Sequence, residues 1–431
     1  MASSSHLATS YSEPISNTNH LKPTLDVLSK TATVGHQQTK HKDLWFFPNE
    51  LQNDLQGVSL LPNVIAEVIA CAWEYVRCVI PQYTNRPRYI AFCRIIIIGV
   101  IAEFRGSLVD ITSPSPIILG YDLDSLLSIV YGSSSQIHEA MAREYKTFIL
   151  ITADKANKSR RIHSELFHRY TNALARSPET WFRLRDCDAL ARFTIAAALT
   201  CNDHDSFWFS EDEINMLCEI ADAMYDAASY YKHRAEGETN NTFAYAGGDM
   251  RQETYRQCRE VLWELDCAWA DSPPHRCVLN FMRSFGGPIH IMMRRYRYVE
   301  DGLTVGREET DAVVAQTRKN FKLWNRVTDD EFGTLGKSGK QRRERSRETK
   351  ERYDAAIVRK TELMFDGLAE ILEASEEVHC GSCQYRNVTE AERIGLFGGV
   401  QLCEECRTTW RVYLQGISKR ASEPGYSYLV T

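Results

Sequence analysis

Residues 225–243 read Tyr-Asp-Ala-Ala-Ser-Tyr-Tyr-Lys-His-Arg-Ala-Glu-Gly-Glu-Thr-Asn-Asn-Thr-Phe. Asp226, Ser229, His233 and Glu236 fall at i, i+3, i+7 and i+10, which on a helix sets their side chains within about 80° of one another. Lys232 stands beside them, Gly237 breaks the helix, and Asn240 and Asn241 follow in a loop. Oxygen and nitrogen donors beside an ammonium group suit a Mg²⁺–phosphate site, because Mg²⁺ takes few protein carboxylates and shares itself with phosphate oxygens. The competing reading is an amphipathic helix with a solvated polar face.

This segment resembles the second metal motif of class I terpene synthases, Asn-Asp-x-x-Ser-x-x-x-Glu with a nearby Lys, Gly and Asn. Asp226, Ser229, Lys232, Gly237 and Asn241 match it. Tyr225 stands where that motif has Asn, and His233 where it has Glu. The resemblance implies an all-α, class I terpenoid-synthase-like helical bundle with Asp226, Ser229, His233 and Glu236 as Mg²⁺ ligands.

The composition is compatible with that fold. The chain has 431 residues, 43% of them hydrophobic, with a net charge of −6. A sizeable core is available, and nothing pushes the chain globally toward nucleic acid. Its 13 cysteines, with no charged-then-apolar leader, point to a reducing, cytoplasmic setting. The longest apolar run, Ile95–Ala102, is too short to span a membrane. Residues 1–41 read as a disordered tail, 42–328 as the helical bundle, 329–352 as a charged flexible linker, 353–420 as a helix plus a cysteine module, and 421–431 as a tail. The oligomeric state stays open.

Taken in order, Trp45-Phe-Phe-Pro48 reads as a strap on the first helices. Residues 62–82 form a helix with Ala66, Ile69, Ala70 and Trp73 on one face, and a second, buried helix runs from about Tyr89 to Asp110. Glu103 closes its apolar run, with Ser107 and Asp110 on the same face. The family's first, aspartate-rich motif is absent, and Glu103 is its substitute as a Mg²⁺ ligand; the alternative is an ion pair with Arg94 or Arg105. A helix from His138 to Asp154 buries Met141, Tyr145, Phe148 and Ile149, and another runs from Arg160 through Ala175. Ser177-Pro178-Glu179 starts the helix that carries Arg185, Asp188 and Ala189. That spacing resembles the diphosphate sensor, linker and effector of the same enzymes. Arg185 would fork onto phosphate oxygens, and Asp188 would link ligand arrival to a helix break near Ala189. The alternative is a pairing of Arg185 with Asp186 or Asp188. Asn202–Phe209 imitates the metal motif, but Ser210–Glu213 is a capping box, so the preceding residues form a loop.

Gly286-Gly-Pro288 precedes a basic strip in which Arg295-Tyr296 or Arg297-Tyr298 would close the diphosphate site. Cys380-x-x-Cys383 and Cys403-x-x-Cys406 are two knuckles nineteen residues apart. That spacing suits a closed, structural Zn²⁺ site of four thiolates, with Trp410 and Tyr413 packing it on the bundle.

The chain as a whole is similar to the fungal α-ionylideneethane synthases of the abscisic-acid pathway over roughly residues 42–420. The likeness rests on 70–75 (Ala-Cys-Ala-Trp-Glu-Tyr), 143–148 (Arg-Glu-Tyr-Lys-Thr-Phe), 185–193 (Arg-Asp-Cys-Asp-Ala-Leu-Ala-Arg-Phe), 231–240 (Tyr-Lys-His-Arg-Ala-Glu-Gly-Glu-Thr-Asn), 318–327 (Arg-Lys-Asn-Phe-Lys-Leu-Trp-Asn-Arg-Val) and the knuckles. It implies farnesyl diphosphate as substrate, Mg²⁺ as cofactor and α-ionylideneethane as product. In that reading Arg185, Lys232, Asn240, Arg295, Arg297 and Tyr298 hold the diphosphate, and His233, Tyr225 or the pyrophosphate itself moves a proton. The alternatives are a zinc-ribbon protein that binds nucleic acid or protein, and an inactive terpene-synthase-like scaffold.

Overall fold

The computed structural model describes residues 47–112, 117–132, 136–156, 164–293, 339–375, 380–385 and 397–422, without the side chains of Gln136, Glu236 and 339–346. All lie in the compact unit Phe47–Thr431. The fold is all-α. Its helices are α1 (Pro62–Val79), α2 (Arg86–Ala102), α3 (Leu123–Tyr131), α4 (Gln136–Ala156), α5 (Glu165–Leu174), α6 (Pro178–Ala189), α7 (Ala191–Thr200), α8 (Glu211–Glu236), α9 (Thr242–Ala246), α10 (Arg251–Ala268), α11 (Pro273–Phe285), α12 (Ile289–Met292), α13 (Gly339–Val358), α14 (Lys360–Leu363), α15 (Leu368–Ala374), α16 (Glu404–Gln415) and α17 (Ile417–Ala421). The strands among the described residues are a short antiparallel hairpin, Ile117–Ile118 with Tyr121–Asp122.

α2 is apolar all round, and Ile95, Ile97, Ile98 and Ile101 have no exposed surface. Such a helix can only sit inside the bundle, and it packs against α1, α3 and α4. The Tyr145 hydroxyl donates to the Ile95 carbonyl, and its ring stacks on Phe193 at 5.1 Å. α8, 26 residues long, is the other axis and packs against α6, α7, α9, α10 and α11. Its start is the expected capping box: Ser210 Oγ accepts from the Glu213 amide, and the Glu213 carboxylate accepts from the Ser210 amide. Ser177 likewise caps α6, accepting from the Thr180 amide.

Four expectations change. The inner face of α1 is Val64, Val68, Cys71, Ala72, Val76 and Val79, whereas Ala66 is exposed. Trp73 lies at the edge against Phe47, 5.7 Å away, so the strap is there but the face is rotated; Trp45 and Phe46 lie outside the described residues. α2 stops at Ala102 rather than Asp110. A Cβ on Gly106 would lie 2.2 Å from the Ala153 carbonyl oxygen, so the chain turns tightly against α4 there. Glu103, Ser107 and Asp110 therefore share no helical face. Pro273 opens α11 with proline in its first turn instead of merely ending α10. The helix expected near Tyr353 already begins at Gly339. Residues 160–163 and 294–338, with the basic strip and the amphipathic segment 317–327, are outside the described residues. Among the described residues no helix is long and apolar enough to cross a membrane.

The Gly106 contact is with backbone, which cannot swing aside. Gly106→Ala should lower the urea midpoint by an amount equivalent to about 1–3 kcal/mol. A midpoint equal to the parent's would show that the α2–α4 approach is not tight.

Candidate active site

α8 carries an unusual burial of charge. Asp222 and Asp226, one turn apart, are each 0% exposed, and Lys232 is 1% exposed. Tyr225, Ser229 and His233 are buried beside them. Charges leave water only when other charges and dipoles receive them.

α6 supplies the counter-charge. Arg185 donates from Nη2 to Asp226 Oδ1 at 2.8 Å and from Nε to both Asp226 oxygens at 3.3 Å. Its Nη1 donates to Asp188 Oδ2 at 2.7 Å. Burial pushes the Asp226 carboxyl up, and Arg185 pulls it back. One residue past Ala189 the chain turns left-handed at Leu190 (φ 57°), which separates α6 from α7. The helix break expected near Ala189 is therefore present.

The segment after α8 closes over the pair. Gly237 ends the helix in the left-handed conformation (φ 66°). Asn241 then caps α9, its Oδ1 accepting from the Phe243 amide at 3.0 Å. That fixes the amide: Nδ2 points the other way and donates to the Asp226 carbonyl at 3.0 Å and to His233 Nδ1 at 3.0 Å. His233 Nδ1 is thus an acceptor, and the neutral ring carries its proton on Nε2. Ser229 Oγ donates to the Tyr225 carbonyl at 2.8 Å and lies 3.2 Å from the same Nδ1. The Thr242 amide and hydroxyl donate to Asp226 Oδ2 at 2.7 and 2.9 Å. Asn240 Nδ2 donates to the Tyr170 hydroxyl of α5 at 3.3 Å.

Two further helices complete the wall. Phe285 of α11 stacks on Tyr225 at 4.6 Å, and His290 of α12 approaches the same ring at 4.5 Å. The Arg185 guanidinium lies 5.4 Å from the Tyr225 centroid. His290 is fully buried; burial and the nearby Lys232 cation lower its pKa to about 3, so it is neutral. At the end of α4, Lys155 lies 2.7 Å from Glu238 and 4.0 Å from Asp188. Asp154 accepts from Ser164 at 2.6 Å and faces Arg352 of α13 at 3.4 Å.

Tyr225, Asp226, Ser229, Lys232, His233, Asn240, Arg185 and Asp188 thus come together. Glu103 caps α2, half-buried, on the segment running past Ala153. The buried carboxylate that ends an apolar helix is instead Asp154, after Ile149-Leu-Ile-Thr-Ala153. Glu236 lies in α8 with its side chain outside the described residues, as do Arg295, Arg297 and Tyr298 entirely. Sequence reasoning missed Asp222, Asp154, Lys155, Thr242 and His290. Asp222 was within reach, since it stands one helical turn before Asp226.

The second centre is the cysteine module. One sulfur from each of Cys380, Cys383, Cys403 and Cys406 lies within 4.8 Å of the others, with Cys380 and Cys403 at 3.9 Å. Four thiolates about 2.3 Å from a tetrahedral Zn²⁺ need sulfur separations near ~3.8 Å, so the cluster fits. Backbone hydrogen bonding at Ser382, then Cys406, lowers the Cys380 thiol to about 7. The Cys403 amide donates to Cys383 Sγ at 3.2 Å, the kind of contact that stabilises a metal-bound thiolate.

The described residues thus hold two centres in an all-α bundle, a buried, cation-balanced carboxylate cluster and a thiolate cluster. A family model described as "Alpha-ionylideneethane synthase aba3" matches residues 43–424. The chain is 52% identical over 423 residues to the alpha-ionylideneethane synthase aba3 of Botryotinia fuckeliana strain B05.10, covering 98% of this chain and 91% of that one. It is 48% identical over 412 residues to the alpha-ionylideneethane synthase abl3 of Leptosphaeria maculans, covering 95% and 92%. The chain belongs to the alpha-ionylideneethane synthase aba3 family.

Asp222 generates a pH test. Neither of its oxygens has a hydrogen-bond partner among the described residues, and burial raises its pKa well above the ordinary 3.8. The folded state then holds the proton more tightly than the unfolded chain, so this group's contribution to stability falls as pH rises above about 4. Asp222→Asn, measured by urea denaturation without divalent ions, should match the parent near pH 4 and exceed it increasingly toward pH 8. A parent more stable than the variant at pH 8 would contradict the burial of an unpaired carboxyl.

Proposed function

We propose that the chain is a sesquiterpene synthase that ionises farnesyl diphosphate and converts it to α-ionylideneethane, with Mg²⁺ as cofactor. The activity for which the relatives are named supports the product, and the arrangement around Arg185 supports the chemistry. The observation that carries the reading is a guanidinium buried between two carboxylates at a helix break. Such a group is held ready for an anion and can exchange its carboxylate partners for phosphate oxygens.

Mg²⁺ fits the donor chemistry here. Asp222, whose oxygens have no hydrogen-bond partner among the described residues, and Asp226 one turn on are hard oxygen donors. Asp226 and Asp222, with Ser229, His233 and Glu236 on the same helix, are the residues that would hold it. When bound, it supplies charge to the departing diphosphate and orients it.

The remaining work belongs to the chain's own groups. Arg185 leaves Asp226 for the diphosphate, with Lys232 and Asn240 beside it and Arg295, Arg297 and Tyr298 from the following segment. The carbon–oxygen bond then breaks heterolytically, and the electron pair leaves with the diphosphate. Asp188, released from Arg185, passes the change to Leu190. Tyr225, Phe285 and His290 line the site with rings that exclude water from a carbocation. A hydrocarbon product requires loss of a proton from that cation. The departed diphosphate can take that proton, whereas His233, its Nδ1 accepting from Asn241 and its proton on Nε2, is set to donate one in any reprotonation; Tyr225 is the second choice.

Incubation with farnesyl diphosphate and Mg²⁺, followed by gas chromatography, should yield α-ionylideneethane. Arg185→Lys keeps the charge but loses the fork, and its turnover should fall about 100-fold or more at a temperature where the variant is still folded by circular dichroism. Undiminished turnover in that variant, or no hydrocarbon from the parent, would overturn the assignment.

A further inference from the structure

We propose that the four-cysteine module is a clamp that holds the 238–246 segment over the buried Arg185–Asp226 pair, with Gly399 and Trp410 as its positioning residues. Two arms run from the thiolates to that segment. The first is the strand-like run 397–403. At its metal end, Gln401 and Gln384 exchange backbone hydrogen bonds of 3.0 and 2.9 Å, and Cys403 contacts Cys383. At its far end, the Gly398 amide donates to the Glu238 carbonyl at 2.9 Å. The Gly399 amide donates to the Tyr245 hydroxyl at 3.2 Å, which itself donates to the Thr239 carbonyl at 3.3 Å. Phe397 packs on Tyr230 of α8 at 5.5 Å.

The second arm is α16. Cys406 lies in its first turn, and Trp410 follows at i+4 on the same face. A metal on Cys406 therefore fixes the direction of the Trp410 ring. That ring stacks on Tyr245 at 5.1 Å and meets Trp181 of α6 edge-on at 5.7 Å. The Trp181 indole N–H donates to Thr242 Oγ1 at 3.0 Å. An indole nitrogen only donates, so the Thr242 proton must go to Asp226, 2.9 Å away. The line of contact runs Cys406, Trp410, Trp181, Thr242, Asp226, Arg185. A closed thiolate site has no open position for chemistry, but it can hold a loop that does.

Gly399 allows a test that leaves every thiolate in place. A Cβ there would lie 2.1 Å from Thr171 Cγ2 on α5, and β-branched threonine has little freedom to move aside. Thr171→Ser removes that methyl.

The experiment is amide hydrogen exchange on the full chain, comparing 238–246 with the α2 core, 90–101, and zinc content measured on each sample. In the parent, about one zinc per chain is expected. Cys406→Ser should lose the metal and about tenfold of the protection across 238–246, with α2 unchanged. Gly399→Ala should retain zinc and lose protection in the same segment, and Gly399→Ala with Thr171→Ser should recover it. The clamp is refuted by a parent without bound zinc, by equal loss in both segments, by unchanged protection of 238–246 in Cys406→Ser, or by no recovery in the double variant. Any effect of the clamp on turnover rests on the function proposed above, but the exchange readout does not. Failure to convert farnesyl diphosphate with the exchange pattern intact would sink only that function.

Discussion

The fold is built to keep one ion pair dry. Arg185 and Asp226 meet at 2.8 Å with almost no access to solvent, and desolvating both is costly unless every remaining donor and acceptor is satisfied. Hence the surrounding apparatus. Asp188 takes the third guanidinium nitrogen, Thr242 takes the second carboxylate oxygen, and Asn241 ties the Asp226 carbonyl to His233. Removing one partner would strand the other. α6, α8 and α9 are thereby held in one relative position by polar contacts, while α2 and its isoleucines supply the apolar centre.

How much of this could be read beforehand depended on how local the cause was. Caps and helix breaks are set by neighbours in the chain, so Ser177, Ser210–Glu213 and Gly237 were legible. So were Arg185, Asp188 and Asp226, because side chains three or seven residues apart on a helix must share a face. The paired knuckles were legible for the same reason: spacing alone brings the thiolates into reach. The expected reach of α2 to Asp110 failed because its end is decided by the Gly106–Ala153 approach, a contact 47 residues distant in sequence. The α1 face failed similarly. Two candidate stripes existed, and Val64–Val79 won because α2 lies on that side. Asp222 was overlooked because its meaning comes from burial, which periodicity does not report.

The two hidden carboxylates of α8 differ in a way that matters for function. Asp226 is saturated with donors, whereas Asp222 has none among the described residues. Natural cores seldom leave a buried polar atom unpaired without a use for it. Together with Leu190, a leucine in the left-handed region between two helices, Asp222 marks where this bundle gives up stability. Both lie close to Arg185, one through charge and the other along the chain. Backbone strain at Leu190 and the buried Asp222 carboxyl thus concentrate around Arg185.

That concentration explains why support comes from outside the bundle. The polar contacts that hold α6, α8 and α9 together are joined there by packing from a further direction. Inner packing is already committed to α2. Trp181, Tyr245 and Trp410 form an aromatic layer on the outer side of α6 and α9, and the last of these is carried by a helix whose first turn is bound into the thiolate cluster. Metal–sulfur bonds are stiffer than the side-chain packing they replace and need little core of their own. A short cysteine module is therefore a compact way to stiffen the one face of the bundle where the sequence spends its stability on chemistry.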